Sequence, residues 1–204
     1  MKGLFITFEG PDGSGKTTQI NLLNDYLTKC GYDVVLTREP GGTQISEKIR
    51  DVILNPENKG MSPVCEALLY AASRAQHVYE VILPSLKCGK IVICDRFVDS
   101  SVVYQGYARG LGEDLIENIN NYATLGIEPD ITFLLNLPAE IGIKRKKESK
   151  KLDRLEQESI IFHEKVSEGY NRMKDRHKRI FEIDAAMEVD VIHSVIIEKI
   201  KNIL

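Results

Sequence analysis

The sequence predicts an α/β fold, a five-stranded parallel sheet flanked by helices on both faces. Short apolar runs rich in branched residues recur along the chain, as buried parallel strands do. Helically spaced stretches separate them, and a glycine-rich loop joins the first strand to the first helix. The strand runs are Gly3 to Glu9, Asp33 to Thr37, Ile91 to Asp95, Asp130 to Asn136 and Arg179 to Asp184. Helices are expected over 15–30, 43–54, 63–87, 113–126, 139–148, 156–177 and 188–203. Pro129 and Pro138 punctuate the fourth strand and the helix after it. Alternating strands and helices imply right-handed crossovers covering both sheet faces. Ligands in such sheets bind at the carboxyl ends of the strands. Four segments are therefore expected to meet: the glycine loop, Arg38–Thr43, Asp95–Gln105 and the stretch after Asn136.

Composition narrows the class. The 204 residues fit one domain, read here as 1–204 with a lid segment at about 144–155. A net charge of −3 argues against a general nucleic-acid binder. No apolar run is long enough to span a membrane, and no signal-like segment precedes the first strand. Cys30, Cys65, Cys88 and Cys94 lack metal-ligand spacing, and Cys94 reads as a small core residue. A reducing cytoplasm is the expected compartment.

Gly10-Pro11-Asp12-Gly13-Ser14-Gly15-Lys16-Thr17-Thr18 contains a complete G-x-x-x-x-G-K-[ST] phosphate loop, placed between strand and helix. Its glycines let backbone N–H groups converge on a polyphosphate, and the helix N-terminus adds dipole and donors. Lys16 supplies a point charge to the terminal phosphates, and Thr17 a hydroxyl to Mg²⁺. The expected architecture is thus the P-loop NTPase three-layer sandwich, with Mg-ATP as ligand.

Four further constellations carry chemistry. The strand ending at Asp95 suits a second Mg²⁺-directed acid, though a strand-end Asp also caps turns. Arg96 follows it with a guanidinium suited to bidentate phosphate recognition. Arg38-Glu39-Pro40-Gly41-Gly42-Thr43 reads as a tight loop or an ordinary strand-to-helix turn. Tyr70 and Arg74, four apart, share a helix face, where a ring could cover a nucleobase and the Arg donate to it; alternatively they are core and surface. Seven of the eleven residues from Lys144 to Arg154 are basic. They read as a cationic lid, a solvated helix end, or, more weakly, a nucleic-acid patch.

Taken in order, these motifs resemble those of the bacterial thymidylate kinases, P-loop nucleoside monophosphate kinases. Phe8 to Gln19, Thr37 to Thr43, Asp95-Arg96-Phe97, Tyr104 to Gly110 and Leu152-Asp153-Arg154-Leu155-Glu156 carry the resemblance, which covers nearly the whole chain. It implies phosphorylation of dTMP to dTDP by Mg-ATP, and a homodimer built from helices around residues 43–87. Asp12 would contact the sugar 3′-hydroxyl or a metal-bound water. Arg96 would hold the acceptor 5′-phosphate, with Arg38 and Glu39 shaping the pocket. Tyr70 would stack on thymine and Arg74 bond its O4. Ser101 and Gln105 would approach the base edge, and Tyr104 would crowd the 2′ position. A cis peptide is expected at Glu39–Pro40. One family branch carries an Arg inside the phosphate loop, where this chain has Gly13 and Ser14. The missing cation then falls to the lid: Arg154 is the first choice, with Lys147 and Lys150 competing, and residues 145–153 are expected to be mobile. Two other readings are a kinase for another nucleoside monophosphate and an ATP-driven switch that binds a protein. Tyr70, Arg74 and Tyr104 speak against the first, and an acceptor pocket speaks against the second.

Overall fold

A computed structural model describes residues 3–146 and 152–204. Its strands are β1 (Leu4–Glu9), β2 (Val34–Arg38), β3 (Ile91–Asp95), β4 (Ile131–Asn136) and β5 (Ile180–Asp184). They form one parallel sheet in the order β2-β3-β1-β4-β5. Each expected strand is present, most of them starting one residue late. β1 is central, and the chain first builds one side of it and then the other. The crevice at the carboxyl end of β1 is therefore the topological switch point. Register aligns the ends: Asp95 is level with Phe8 on one side and with Arg38 on the other.

The helices are α1 (Lys16–Lys29), α2 (Gln44–Leu54), α3 (Pro63–His77), α4 (Leu83–Lys87), α5 (Val98–Ser101), α6 (Glu113–Thr124), α7 (Ala139–Lys146), α8 (Ile160–Met173) and α9 (Val189–Lys201). Side-chain alternation sorts the core into two faces. Ile6, Phe8, Ile93, Phe133 and Leu135 pack with Leu23 and Leu27 of α1 and Ile196 of α9. Phe5, Val92 and Cys94 point the other way, onto Val78, Ile82 and Phe97. Beside them Leu134 meets Val103, Val166 and Tyr170.

Two helical stretches differ from expectation. The single helix expected over 63–87 is interrupted by a π-helical turn at Val78–Ile82. Pro84 explains it, because a proline inside a helix has no N–H and its ring clashes with the carbonyl four residues back, here that of Glu80. A widened turn absorbs both defects. Residues 98–108, expected only as a site segment, are helical: α5 runs directly into a π-helical stretch, Val102–Ala108. Val102, Val103, Tyr104, Gln105 and Gly106 are all buried there, so the segment shows no exposed face and no helical period. The helix expected from 156 begins at Ile160, where the Ser159 hydroxyl caps the Phe162 N–H.

Leu23 is fully buried between α1 and the sheet. Leu23→Ala should lower the unfolding free energy by about 2–5 kcal/mol, read as a fall in the urea midpoint at unchanged slope.

Candidate active site

The strand ends and their loops enclose a cavity of about 430 Å³. Its floor is the phosphate loop. Gly10 has φ +132°, and a Cβ there would lie 2.2 Å from the Leu135 carbonyl, so only glycine lets the loop leave β1. Gly15 caps α1 without any side-chain acceptor, which leaves the first N–H groups of that helix facing the cavity. Lys16 folds back over the loop, its Nζ donating to the carbonyls of Gly10 (3.0 Å) and Pro11 (2.9 Å). Burial, with Arg96 nearby, brings its ammonium down to about 8. The ammonium is thus held by carbonyls of its own loop.

The Thr17 hydroxyl lies 3.5 Å from Asp95 Oδ2, while Asp95 Oδ1 is buried with no hydrogen-bond partner among the described residues. An orphaned carboxylate oxygen beside a hydroxyl is a donor set that suits a hard divalent cation.

Arg96 stands where β3 ends, with a left-handed backbone at φ +66°. That turn swings its side chain back over the loop. Nη2 bonds Asp12 Oδ1 at 2.7 Å, Nη1 bonds the Gly10 carbonyl at 3.1 Å, and the guanidinium lies 5.3 Å from the Tyr104 ring centre. Arg96, Asp12, Tyr70, Ser101, Tyr104 and Gln105 all border the same cavity.

Arg38 and Glu39 leave β2 on opposite sides. Arg38 is exposed and paired with Glu47 at 2.9 Å. Glu39 is buried and accepts from Arg74 Nε at 2.7 Å and faces His77 Nδ1 at 2.9 Å. The Glu39–Pro40 peptide is cis, as expected. Arg74 is almost wholly buried. Besides Glu39 it donates to Asn120 Oδ1, the Phe97 carbonyl and the Ser101 hydroxyl. Four of its five N–H groups are thereby used, and the residue borders the cavity.

Arg154 is placed differently from the other expected residues. It is buried, its Nε bonds the Ile53 carbonyl at 2.7 Å, and its Nη2 meets Glu66 Oε2 at 2.6 Å. Burial alone would raise the Glu66 carboxyl, but hydrogen bonds from Arg109, Gln105 and Arg154 outweigh it and hold it low. In this arrangement Arg154 ties the lid's end to α2 and α3 and does not border the cavity, whereas its neighbours Asp153, Leu155 and Glu156 do. Arg145 reaches the Gly13 carbonyl at 3.3 Å. Lys147 and Lys150, with most of the segment expected to be mobile, lie outside the described residues.

Sequence reasoning missed Arg50, whose Nη1 holds the Pro40 carbonyl at 2.7 Å on the cavity wall. It also missed Ser100, on the same wall, and the buried Glu9 behind it. The signal for Glu9 was legible: a carboxylate that ends a nearly all-apolar strand has a reason to be buried.

Comparison with known proteins adds the decisive observation. The Thymidylate kinase family model matches residues 8–196. The chain belongs to the thymidylate kinase family. A thymidylate kinase of Thermoanaerobacter sp. (strain X514) is 52% identical over 205 residues, covering 100% of each chain. One from Geobacillus sp. (strain WCH70) is 50% identical, covering 99% of this chain and 98% of the relative. The crystal structure of thymidylate kinase from Ehrlichia chaffeensis matches with a TM-score of 0.80 at 35% identity, over 98% of this chain and 99% of that one. The family's five-stranded P-loop fold is thus the fold found here, with the phosphate loop, Tyr70, Arg96 and Tyr104 bordering one cavity.

Burial pushes the Glu9 carboxyl up to about 7, with Asp99 adding to the effect and Arg96 opposing it. The folded chain therefore holds an extra proton between about 4.5 and about 7 and loses stability as pH rises through that window. Glu9→Gln has no charge to bury. Its denaturant midpoint should gain on the parent's between about pH 5 and about pH 8; parallel stability curves would contradict the assignment.

Proposed function

We propose that this chain is a single kinase domain that transfers the γ-phosphoryl group of ATP to the 5′-phosphate of dTMP. The observation that carries the reading is that Arg96 links the two halves of the site. Its guanidinium lies over the phosphate loop and beside Tyr104, so donor and acceptor phosphates would meet on it. The loop N–H groups and Lys16 would cradle the ATP phosphates, leaving the Gly10 and Pro11 carbonyls that now hold the amine. Thr17 and Asp95 would hold Mg²⁺, which when bound supplies positive charge to the transferring group. Arg96 would take the acceptor phosphate in exchange for part of its bond to Asp12, freeing that carboxylate for the sugar hydroxyl or a metal-bound water. Tyr70 would cover the base, with Arg74, Ser101 and Gln105 at its edge and Tyr104 against the sugar. Arg38, Glu39 and Arg50 shape the wall between. Catalysis is then positioning and charge stabilisation, and no strong base is required.

The lid assignment takes a specific form. For Arg154 to act on the phosphoryl group it must leave Glu66, so we read it as a residue that anchors the lid in this state and reaches the site only if that pair opens. Turnover of Arg154→Ala beside Lys147→Ala and Lys150→Ala locates the catalytic cation, because a loss confined to one variant identifies it.

The reading is tested by ATP turnover coupled to acceptor. Turnover should depend on dTMP, Lys16→Ala should nearly abolish it with the fold intact, and Arg96→Ala should raise the dTMP KM and lower the maximal rate. Truncating a buried phosphate partner costs about 2–5 kcal/mol. ATP turnover indifferent to dTMP would sink the kinase reading. An Arg96→Ala effect confined to ATP would move that residue to the donor side.

We also propose a homodimer through α2 and α3. These helices pack on each other yet leave Ile45, Val52, Val64 and Leu68 exposed. Val64 and Leu68 are one helical turn apart on a single face of α3, as a self-complementary patch requires. Leu68→Asp should shift the sedimentation coefficient to that of a monomer, and an unchanged value would place the interface elsewhere. We place the enzyme in the reducing cytoplasm: its four cysteines are all free thiols. Among the described residues no helix is long and apolar enough to cross a membrane.

A further inference from the structure

Glu9 is 1% exposed at the end of β1 and makes no contact with the cavity. Its Oε1 accepts the backbone N–H of Phe97 at 2.8 Å and of Ser100 at 3.2 Å. Its Oε2 accepts the Ser100 hydroxyl at 2.5 Å and the Tyr170 hydroxyl at 3.1 Å. Those hydroxyls lie 2.9 Å from each other, and both stand within reach of Arg96 Nη1, at 3.2 Å and 3.1 Å.

The ionised carboxylate favours one direction for this network. A hydroxyl has one proton and two lone pairs. With Glu9 ionised both hydroxyl protons can go to the carboxylate, so both hydroxyls present lone pairs to Nη1, whose two N–H groups they share with the Gly10 carbonyl. Arg96 is an obligate donor, and a hydroxyl free to rotate would spend part of its time offering it a proton instead. Glu9 removes that freedom. It also pins the backbone after Arg96 through the Phe97 N–H, while the Arg96 N–H is held by the Phe8 carbonyl at 2.9 Å. The left-handed conformation of Arg96 is thus clamped on both sides, as a sparsely populated backbone must be to persist.

We propose that Glu9, Ser100 and Tyr170 form a positioning triad that orients the Arg96 guanidinium for the acceptor phosphate. The proposal rests on the reading of Arg96 as the phosphate-binding residue. In this scheme all three act through Arg96, Ser100 from the cavity wall and Glu9 and Tyr170 from behind it. Each acts through Nη1, leaving Nη2 to exchange Asp12 for phosphate. Tyr170 comes from α8, so the triad also couples the helix that follows the lid to the acceptor pocket.

Steady-state kinetics of Tyr170→Phe tests it, because the ring and its packing against Tyr104 are kept and only the hydroxyl is lost. The dTMP KM should rise about tenfold, the loss expected for one hydrogen bond to a charged group, with the ATP KM unchanged. Ser100→Ala, which removes the other hydroxyl without touching any ring, should act in the same direction. In an Arg96→Ala background Tyr170→Phe should add nothing, since its route to the substrate is gone. A lower thermal midpoint with both KM values unchanged would reduce the triad to packing and overturn the proposal, as would full additivity in the double variant. If Arg96→Ala raises the dTMP KM but Tyr170→Phe and Ser100→Ala do not, the triad falls and the kinase reading stands. If Arg96→Ala leaves the dTMP KM unchanged, the phosphate assignment and the triad fall together.

Discussion

The bond between Arg96 and Asp12 is the constraint on which the site depends. β3 and β1 pair in register, with Asp95 level with Phe8, so β3 ends one residue before β1 does and both strands leave the sheet at the same edge. A right-handed backbone at Arg96 would carry its side chain away from the loop. The left-handed turn, φ +66°, brings it back over Gly10 and against Asp12. One guanidinium then closes the phosphate loop on the side facing Tyr104. The phosphate loop, Arg96 and Tyr104 therefore line one cavity.

Much of the remaining polar structure keeps charges in place at the cost of burying them. Arg74, Glu39 and His77 are each nearly inaccessible, as are Glu66 and Arg154. Buried pairs contribute little net stability against an apolar core of the same shape, but they fix geometry, and breaking one partner is costly. Arg74 shows the effect most clearly. Its bonds to Glu39, Asn120, Phe97 and Ser101 join α3 to α6, to the cis-proline loop and to the helical segment after β3. The pocket wall therefore cannot shift on one side alone. Glu66 does the same further out, gathering Gln105, Arg109 and Arg154 onto one carboxylate.

How much of this was legible in the sequence depended on whether the signal was local. Buried strands announce themselves by nearly all-apolar runs, so β1, β3 and β4 were read nearly to the residue. The phosphate loop was legible because glycine, lysine and threonine at fixed spacing have few other uses. The helix of residues 98–108 was not, because burial on every side erases the periodicity that marks a helix, and Gly106 reads as a breaker. The widened turn before Pro84 was not read, although that proline lies inside the helix expected over 63–87. Tyr170 was beyond reach, since its partner Glu9 lies 161 residues away and nothing in either neighbourhood points to the other. The placement of Arg154 was hidden for a related reason. Its basic neighbours suggested a solvent-facing lid, while the carboxylate that takes it, Glu66, stands 88 residues earlier on α3.

The assignment of Arg96 to the acceptor phosphate is tested most directly by a crystal structure of the enzyme with dTMP bound. The expected result is a 5′-phosphate hydrogen-bonded to the Arg96 guanidinium, with the Tyr170 hydroxyl still on Nη1 and the thymine ring against Tyr70. A phosphate held by Arg38 and Arg50 alone, with Arg96 still bonded to Asp12 as in the free protein, would contradict it.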